Sequence, residues 1–279
     1  MQKVEAKIII FTSKMDIAAQ NIKMRILENH KLSEKSIGVE YAYHDRDIDA
    51  LIVDIPEDSI YAENLEEKFK AKIFIFASRH SSESGIPALL THTPGNWTDD
   101  TSMGGKPRSI AISSPSTIKR MLKWLNKLKD EKMLEGYKVG LEVTHHGPSI
   151  HNTPTIFVEL GSREENWRDE SAAYIVSEAI MNVAREIDEK GGFKIAAGFG
   201  GPHYAPSFTK KTLETEYAIG HIVPEYVYDK ITVREIEMAV ERSDEKVEYA
   251  LIDWKGLNKK QRDMTIGYLE KVGLKWIKI

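Results

Sequence analysis

TIFVELGSREENWRDESAAYIVSEAIMNVAREIDEKGGFKIAAGFGG, residues 155–201, sets out strand, helix and strand in one run. Thr155 to Gly161 is apolar nearly throughout, as expected of a strand covered on both faces, and Phe193 to Gly198 repeats the pattern. Between them Ala172, Ile175, Val176, Ala179, Ile180 and Val183 recur at helical spacing on one face, and Gly191-Gly192 ends the helix.

The same alternation extends to both ends of the chain. Further strands are expected at Ala6 to Thr12, Ala50 to Ile55, Lys72 to Ala77, Lys138 to Thr144, Ile219 to Pro224, Val247 to Asp253 and Leu274 to Ile279. Further helices are expected in SSPSTIKRMLKWLNKLKDEKML, where Pro115 follows the N-cap Ser114, and in PSFTKKTLETEY, VREIEMAVERS and NKKQRDMTIGYLEKVG. A β/α series of this kind implies a three-layer α/β/α fold with a mostly parallel mixed sheet. No repeat, low-complexity tract or linker divides the 279 residues, so one domain spanning 1–279 is expected. Two long loops interrupt it, at about 78–109 and 198–208, and loops of that length in a compact domain point to function.

Composition excludes several classes of protein. Apolar residues make up 41% and charged residues 29%, the balance of a soluble globular chain. There is no cysteine, so disulfides, thiolate metal sites and a cysteine nucleophile are ruled out, and any metal must be held by His, Asp or Glu. The apolar run Ile8 to Phe11 is too short for a signal segment or a membrane span, which makes the cytoplasm the expected location. A net charge of −4 argues against a surface that attracts nucleic acid everywhere, while leaving room for a local basic patch. A monomer and a homodimer are equally compatible with the sequence.

Seven of the nine histidines fall in or beside segments that follow strands: His80, His92, His145, His146, His151, His203 and His221. Ligands of open α/β sheets bind outside the carboxyl ends of strands, so these imidazoles are expected to converge there. In LEVTHHGPS, residues 141–149, an extended chain would send Glu142, Thr144 and His146 to one face and His145 to the other, unless the chain turns. The turn signal Gly147-Pro148 places His146 where the strand breaks. Glu159, an acid at the end of an apolar strand, needs a partner: an ion pair, a metal or a histidine to orient. Neither a phosphate loop nor a GxSxG nucleophile motif is present. A histidine–carboxylate hydrolytic centre fits best, either with neutral imidazoles on Zn2+ or with one histidine as a metal-free general base. The expected metal ligands are His80, His92, Glu142, His145, His146 and His203, and the expected catalytic residues are His146, Glu159 and His203.

LEVTHHGPS, ELGSREENWRDESAA, GFGGPHYAP and SRHSSESGIPALLTHTPGNW closely resemble the archaeal and plant class of D-aminoacyl-tRNA deacylases, over essentially the whole chain. The resemblance implies hydrolysis of the ester linking a D-amino acid to the 3′ end of tRNA, a zinc requirement, and an α/β fold similar to the phosphorylase/hydrolase-like group. An aminoacyl ester is already activated, so a positioned water, a base and a stabiliser of the oxyanion suffice. Chirality must be judged near Cα, and a wall of backbone at Gly147-Pro148 or Gly201-Pro202 is the candidate. The terminal adenine has Trp97, Tyr204 or Phe208 as stacking partners. For tRNA phosphates, residues 106–132 offer eight cations, among them Lys106, Arg108, Lys119, Arg120, Lys123 and Lys127, against Asp130 and Glu131. The rival enzyme class is a zinc-dependent peptidase or amidohydrolase acting on a small amide, and a non-catalytic RNA-binding module is the third reading.

Overall fold

The computed structural model describes residues 3–38, 41–189 and 191–279. Eight strands form the larger sheet: β1 (Ile8–Ser13), β2 (Ser33–Ser36), β3 (Tyr41–Asp45), β4 (Ala50–Ile55), β5 (Ile73–Arg79), β6 (Ala88–His92), β7 (Lys138–Leu141) and β8 (Thr155–Gly161). Their spatial order is β7-β6-β8-β5-β1-β4-β3-β2. The central strands β8, β5, β1 and β4 run parallel, whereas β6 pairs antiparallel with β8, and β3 antiparallel with β4. A second sheet holds β9 (Lys194–Phe199), β10 (Tyr217–Val223), β11 (Tyr249–Ile252) and β12 (Lys275–Lys278) in the order β10-β9-β11-β12, all parallel.

Alternation along the strands divides the core between two faces. Ile8, Ile10, Ile73, Ile75, Ile156 and Val158 point to one face, where they meet helix α1 (Ile17–Asn29), α2 (Pro115–Glu131) and α3 (Glu170–Arg185). Ile9, Phe11, Phe74, Phe76 and Phe157 point to the other, covered by a short helix at Leu65–Lys68 and by Ile150. Helix α2 also packs along β10, so it joins the two sheets. The second sheet carries α4 (Pro206–Glu214), α5 (Val233–Glu241) and α6 (Lys259–Lys271), with its own core around Phe199, Ile252 and Leu269.

The mixed α/β architecture flanked by helices agrees with the sequence reading, and Ala50–Ile55 and Thr155–Gly161 match residue for residue. Several features differ: the strands form two main sheets rather than one, and Ser33–Ser36 and Tyr41–Asp45 are strands the sequence reading did not expect. The 78–109 stretch is not a loop throughout, because Ala88–His92 is a fully buried strand inside it. The strand expected at Lys138 to Thr144 stops at Leu141. Helix α1 also lies in a stretch whose periodicity is weak; only Ala18, Ala19, Ile22 and Ile26 are buried, among polar neighbours.

Candidate active site

Two antiparallel strands bring the site together. On β8, Phe157 and Glu159 share a face; on β6, Leu90 and His92 face them in register. From the neighbouring β5, Phe76 and Ser78 lead to His80 on the same face. Beyond β7, the Glu142 amide still bonds the Thr91 carbonyl (3.2 Å), which sets Glu142 beside His92. The imidazole of His92 stacks on Phe157 with 5.5 Å between centroids, and His146 packs edge-on to the same ring at 4.8 Å. The aromatic face of the sheet is thus the floor of the site.

The 142–147 segment does not continue as a strand. Its backbone hangs between neighbours: the Val143 amide donates to the His203 carbonyl (3.0 Å), the Thr144 amide to Ile222 (3.1 Å), and Gly95 N–H to the carbonyls of His145 and His146 (3.1 and 2.7 Å). His146 takes φ +46°, a left-handed conformation that costs a non-glycine residue energy and that functional turns often retain. Because the chain turns there, His145 and His146 do not point to opposite faces; their ring centroids lie 4.3 Å apart. His203 arrives from the second sheet, where Gly200 and Gly201 turn the chain after β9 at φ +92° and +82°.

Five of the seven histidines singled out from the sequence therefore meet: His80, His92, His145, His146 and His203. Around them stand Glu142 and Glu159, both buried (2% and 4% exposed). Glu142 lies 2.9 Å from His203 Nε2, 3.4 Å from His92 Nδ1 and 3.5 Å from His80 Nδ1. Glu159 lies 3.2 Å from His80 Nδ1 and 3.4 Å from His146 Nε2. Burial pushes the Glu142 carboxyl up, but hydrogen bonds from His203 and His92 and the neighbouring imidazole charge hold it well below the usual carboxylate range. Burial and the charge of Glu142 push Glu159 up, and bonds from His146 and His80 bring it below its ordinary value. Burial, then repulsion from His146 and His92, drives His145 well down, and burial lowers His92. In His80, burial is outweighed by the Glu159 hydrogen bond and the Glu142 charge, so its pKa rises.

The hydrogen-bond partners of each ring nitrogen constrain the tautomers. His145 Nδ1 donates to the Val143 carbonyl (2.8 Å), leaving its Nε2 as a lone-pair donor. His146 Nδ1 donates to the Gly147 carbonyl (2.6 Å), so its Nε2 offers a lone pair in the neutral ring and reaches Glu159 as a donor only when the ring carries a second proton. His92 Nε2 lies 3.2 Å from His146 Nε2, while its Nδ1 faces Glu142 Oε2, and neither of these last two atoms has a hydrogen-bond partner. If the His92 proton sits on Nε2, a bare Nδ1 confronts a carboxylate; if it sits on Nδ1, two lone pairs confront each other. A cation between the rings, or a second proton on one of them, would resolve both conflicts. One nitrogen each from His92, His145 and His146 lies within 4.8 Å of the others, and two further triads, Glu142–His145–His203 and His80–Glu142–Glu159, meet the same limit.

Other residues named from the sequence lie elsewhere or serve the fold. His221 is buried, bonding Thr144 Oγ1 (2.9 Å) and the carbonyls of Arg242 (2.9 Å) and Ala111 (3.2 Å), and His151 lies on the surface at 151–152 beside Glu66. Trp97 is 3% exposed and donates its indole N–H to the Thr144 carbonyl (2.9 Å), and Phe208 is fully buried, so neither can stack on a base. Tyr204, 42% exposed, with its hydroxyl 3.3 Å from His80 Nε2, remains accessible. Gly147 is not a wall toward substrate: a Cβ there would meet Gly105 N at 2.2 Å and Ile60 O at 2.4 Å, so it and buried Pro148 pack under the 104–105 turn. Gly201 is buried beside Asp253, and Pro202 is exposed.

The expected phosphate-binding face is also revised. Lys119 is buried and donates to the carbonyls of Thr212, Thr215 and Tyr217 (2.6, 2.5 and 2.9 Å), and Arg120 is buried against the Glu189 carbonyl. Arg108 is held by Asp99 and Glu235. Lys106, Lys123 and Lys127 remain exposed, the last two beside Trp124 and Glu186. Finally, the site lies on the sheet face rather than at one carboxyl rim, because β6 runs opposite to β8.

Buried paired carboxylates, neutral imidazoles with outward lone pairs and a half-exposed histidine at the mouth define a hydrolase-type centre suited to activating water. Comparison with known proteins narrows the class. A profile of the D-aminoacyl-tRNA deacylase family matches residues 67–277. The D-aminoacyl-tRNA deacylases of Thermococcus kodakarensis and Pyrococcus abyssi are 37% and 38% identical to this chain over 276 residues, covering 97% of it and 99% of their own lengths. A crystal structure of a conserved protein of unknown function superposes with a TM-score of 0.89 at 34% identity, covering 99% of this chain and 96% of that one. The chain belongs to the D-aminoacyl-tRNA deacylase family. The rival reading as a zinc peptidase draws no support from these relatives.

Proposed function

We propose that this protein hydrolyses the ester between a D-amino acid and the 3′-terminal ribose of tRNA, releasing both, in the cytoplasm where charged tRNA is used. The observation that carries the reading is the convergence of His80, His92, His145, His146 and His203 on two buried carboxylates, in a chain matched by this family over residues 67–277.

Zn2+ fits this donor set. His92, His145 and His146 would hold it in their neutral forms, each offering one ring nitrogen within 4.8 Å of the others. When bound, zinc supplies Lewis acidity, polarising an ester carbonyl and lowering the pKa of water.

This chain's own residues do the rest. His203 Nε2–H donates to Glu142, which orients the ring and leaves Nδ1, 3.3 Å from the Tyr226 hydroxyl, as the basic nitrogen at the mouth. Such a carboxylate–imidazole pair can take a proton from water and return it to the departing ribose 3′ oxygen. Glu159 accepts from His80 Nδ1 (3.2 Å) and so holds that ring in one geometry. On the opposite side, Tyr204 bonds His80 and Ser82 (3.3 and 2.8 Å) and closes the approach.

The test is deacylation of D-tyrosyl-tRNA and L-tyrosyl-tRNA by the intact chain and by His203→Ala. The reading expects turnover of the D form alone and a loss in kcat of roughly 10²–10⁴-fold in the variant. Equal turnover of both forms would sink it.

A further inference from the structure

The sheet face that carries the imidazoles continues beyond them. Below the His92/Glu142 rung, β6 and β7 present Leu90 beside Gly140 and then Ala88 beside Lys138. At about 3.3 Å per residue, these rungs lie roughly 7 and 13 Å from the reacting centre. They floor a cavity of about 600 Å3, a volume within the range of roughly 300–1,000 Å3 for small-ligand sites. Tyr204 separates the cavity from His80, and Leu213 of α4 lines its other side.

We propose that this cavity binds the 3′-terminal adenosine of tRNA, with the base on the apolar floor and the adjoining phosphate facing Lys138 and Lys210. The proposal rests on the deacylase reading above and specifies where that substrate lies.

Three observations favour adenosine over the amino-acid side chain. The floor is apolar, built of Ala88, Leu90, Val139 and Gly140, and Gly140 adds no side chain between Leu90 and Thr209 (3.5 Å each from where its Cβ would stand), which suits a planar base. Lys138 and Lys210 line the cavity and are exposed; Lys210 shares an exposed i,i+4 pair with Glu214 (4.0 Å), also in the lining, which leaves Lys138 the stronger candidate to meet phosphate. Thr209 accepts the Leu141 amide at Oγ1 (2.8 Å) and keeps its own hydroxyl proton to donate to a ring nitrogen. The family description fixes the configuration of the amino acid without naming its side chain, whereas adenosine ends every tRNA. A shaped cavity is therefore better matched to the constant part of the substrate.

The experiment titrates AMP, adenosine and CMP into the full chain by calorimetry and measures KM and kcat for D-tyrosyl- and D-alanyl-tRNA. We expect AMP to bind at least ten-fold more tightly than CMP. Leu213→Trp, which fills the cavity, should weaken AMP and raise KM for both substrates ten-fold or more, with kcat within three-fold. Replacing the exposed Lys138 and Lys210 by Ala should bring AMP down to the affinity of adenosine. Equal binding of AMP and CMP would overturn the proposal. So would a Leu213→Trp variant that alters the preference between D-tyrosyl and D-alanyl esters while AMP still binds as before, since the side chain would then occupy the cavity. Failure of the deacylase reading itself would appear separately, as no turnover by the unaltered chain.

Discussion

His146 shows how far a single residue can be read from sequence. Two adjacent histidines before Gly-Pro mark a break in a strand, but alternation alone separates their rings; it is the left-handed φ of His146 that turns both inward. We expect His146→Ala to lose bound zinc, measured by elemental analysis, and to lower kcat about 100-fold or more. His221 looked like its neighbours in sequence yet serves the fold, because the partners that bury it come from residues 111, 144 and 242, which only tertiary structure assembles. Burial holds its pKa down to about 4. The folded chain therefore refuses a proton that the unfolded chain accepts below its ordinary value near 6.5. Stability from this group is full above pH 6.5 and declines as pH falls toward 4, by up to about 3 kcal/mol. Denaturant unfolding at pH 7, 5.5 and 4 should show this decline, and His221→Gln should flatten it.

Elements were legible where their own residues carry the pattern. Thr155–Gly161 and α3 could be read directly because strand and helix periods are unbroken there. Strand β6 could not: ALLTH is five residues between Pro87 and Pro94, and its strand character comes from pairing on both sides with β7 and β8. SEKS is polar because it is the edge strand, with one partner, and YAYHD, next to it, buries only Ala42 and Asp45. Helix α2 was legible as a helix but not in its orientation. Its cations suggest a phosphate face, yet Lys119 spends its ammonium on three carbonyls at the end of α4 and the start of β10. Lys119→Met should accordingly cost about 2–4 kcal/mol in unfolding free energy by leaving those carbonyls unpaired. It should leave the salt dependence of tRNA binding unchanged, whereas a phosphate contact would reduce the slope by about one.

At the scale of the molecule, the two sheets supply different halves of one centre: His203 comes from the second sheet, and the other four imidazoles from the first. No helix among the described residues is long and apolar enough to cross a membrane. The Glu142–His203 pair (2.9 Å) joins the halves, and a metal held as proposed on His92, His145 and His146 would brace the first sheet's share of the centre. Removing zinc with a chelator should lower the melting temperature by several degrees and abolish turnover, and restoring Zn2+ should recover both. No loss of stability on chelation would show that the rings hold their places unaided.

The reversed direction of β6 has a consequence for what can be processed here. Because it carries His92 inward to the middle of β8, the reacting point is set within the body of the protein, under Tyr204 and the 142–147 turn. A substrate whose ester stands at an unpaired terminus is the one expected to reach it, with a base-paired stem held outside. Only the tip of a long polymer can be serviced, while its bulk stays outside.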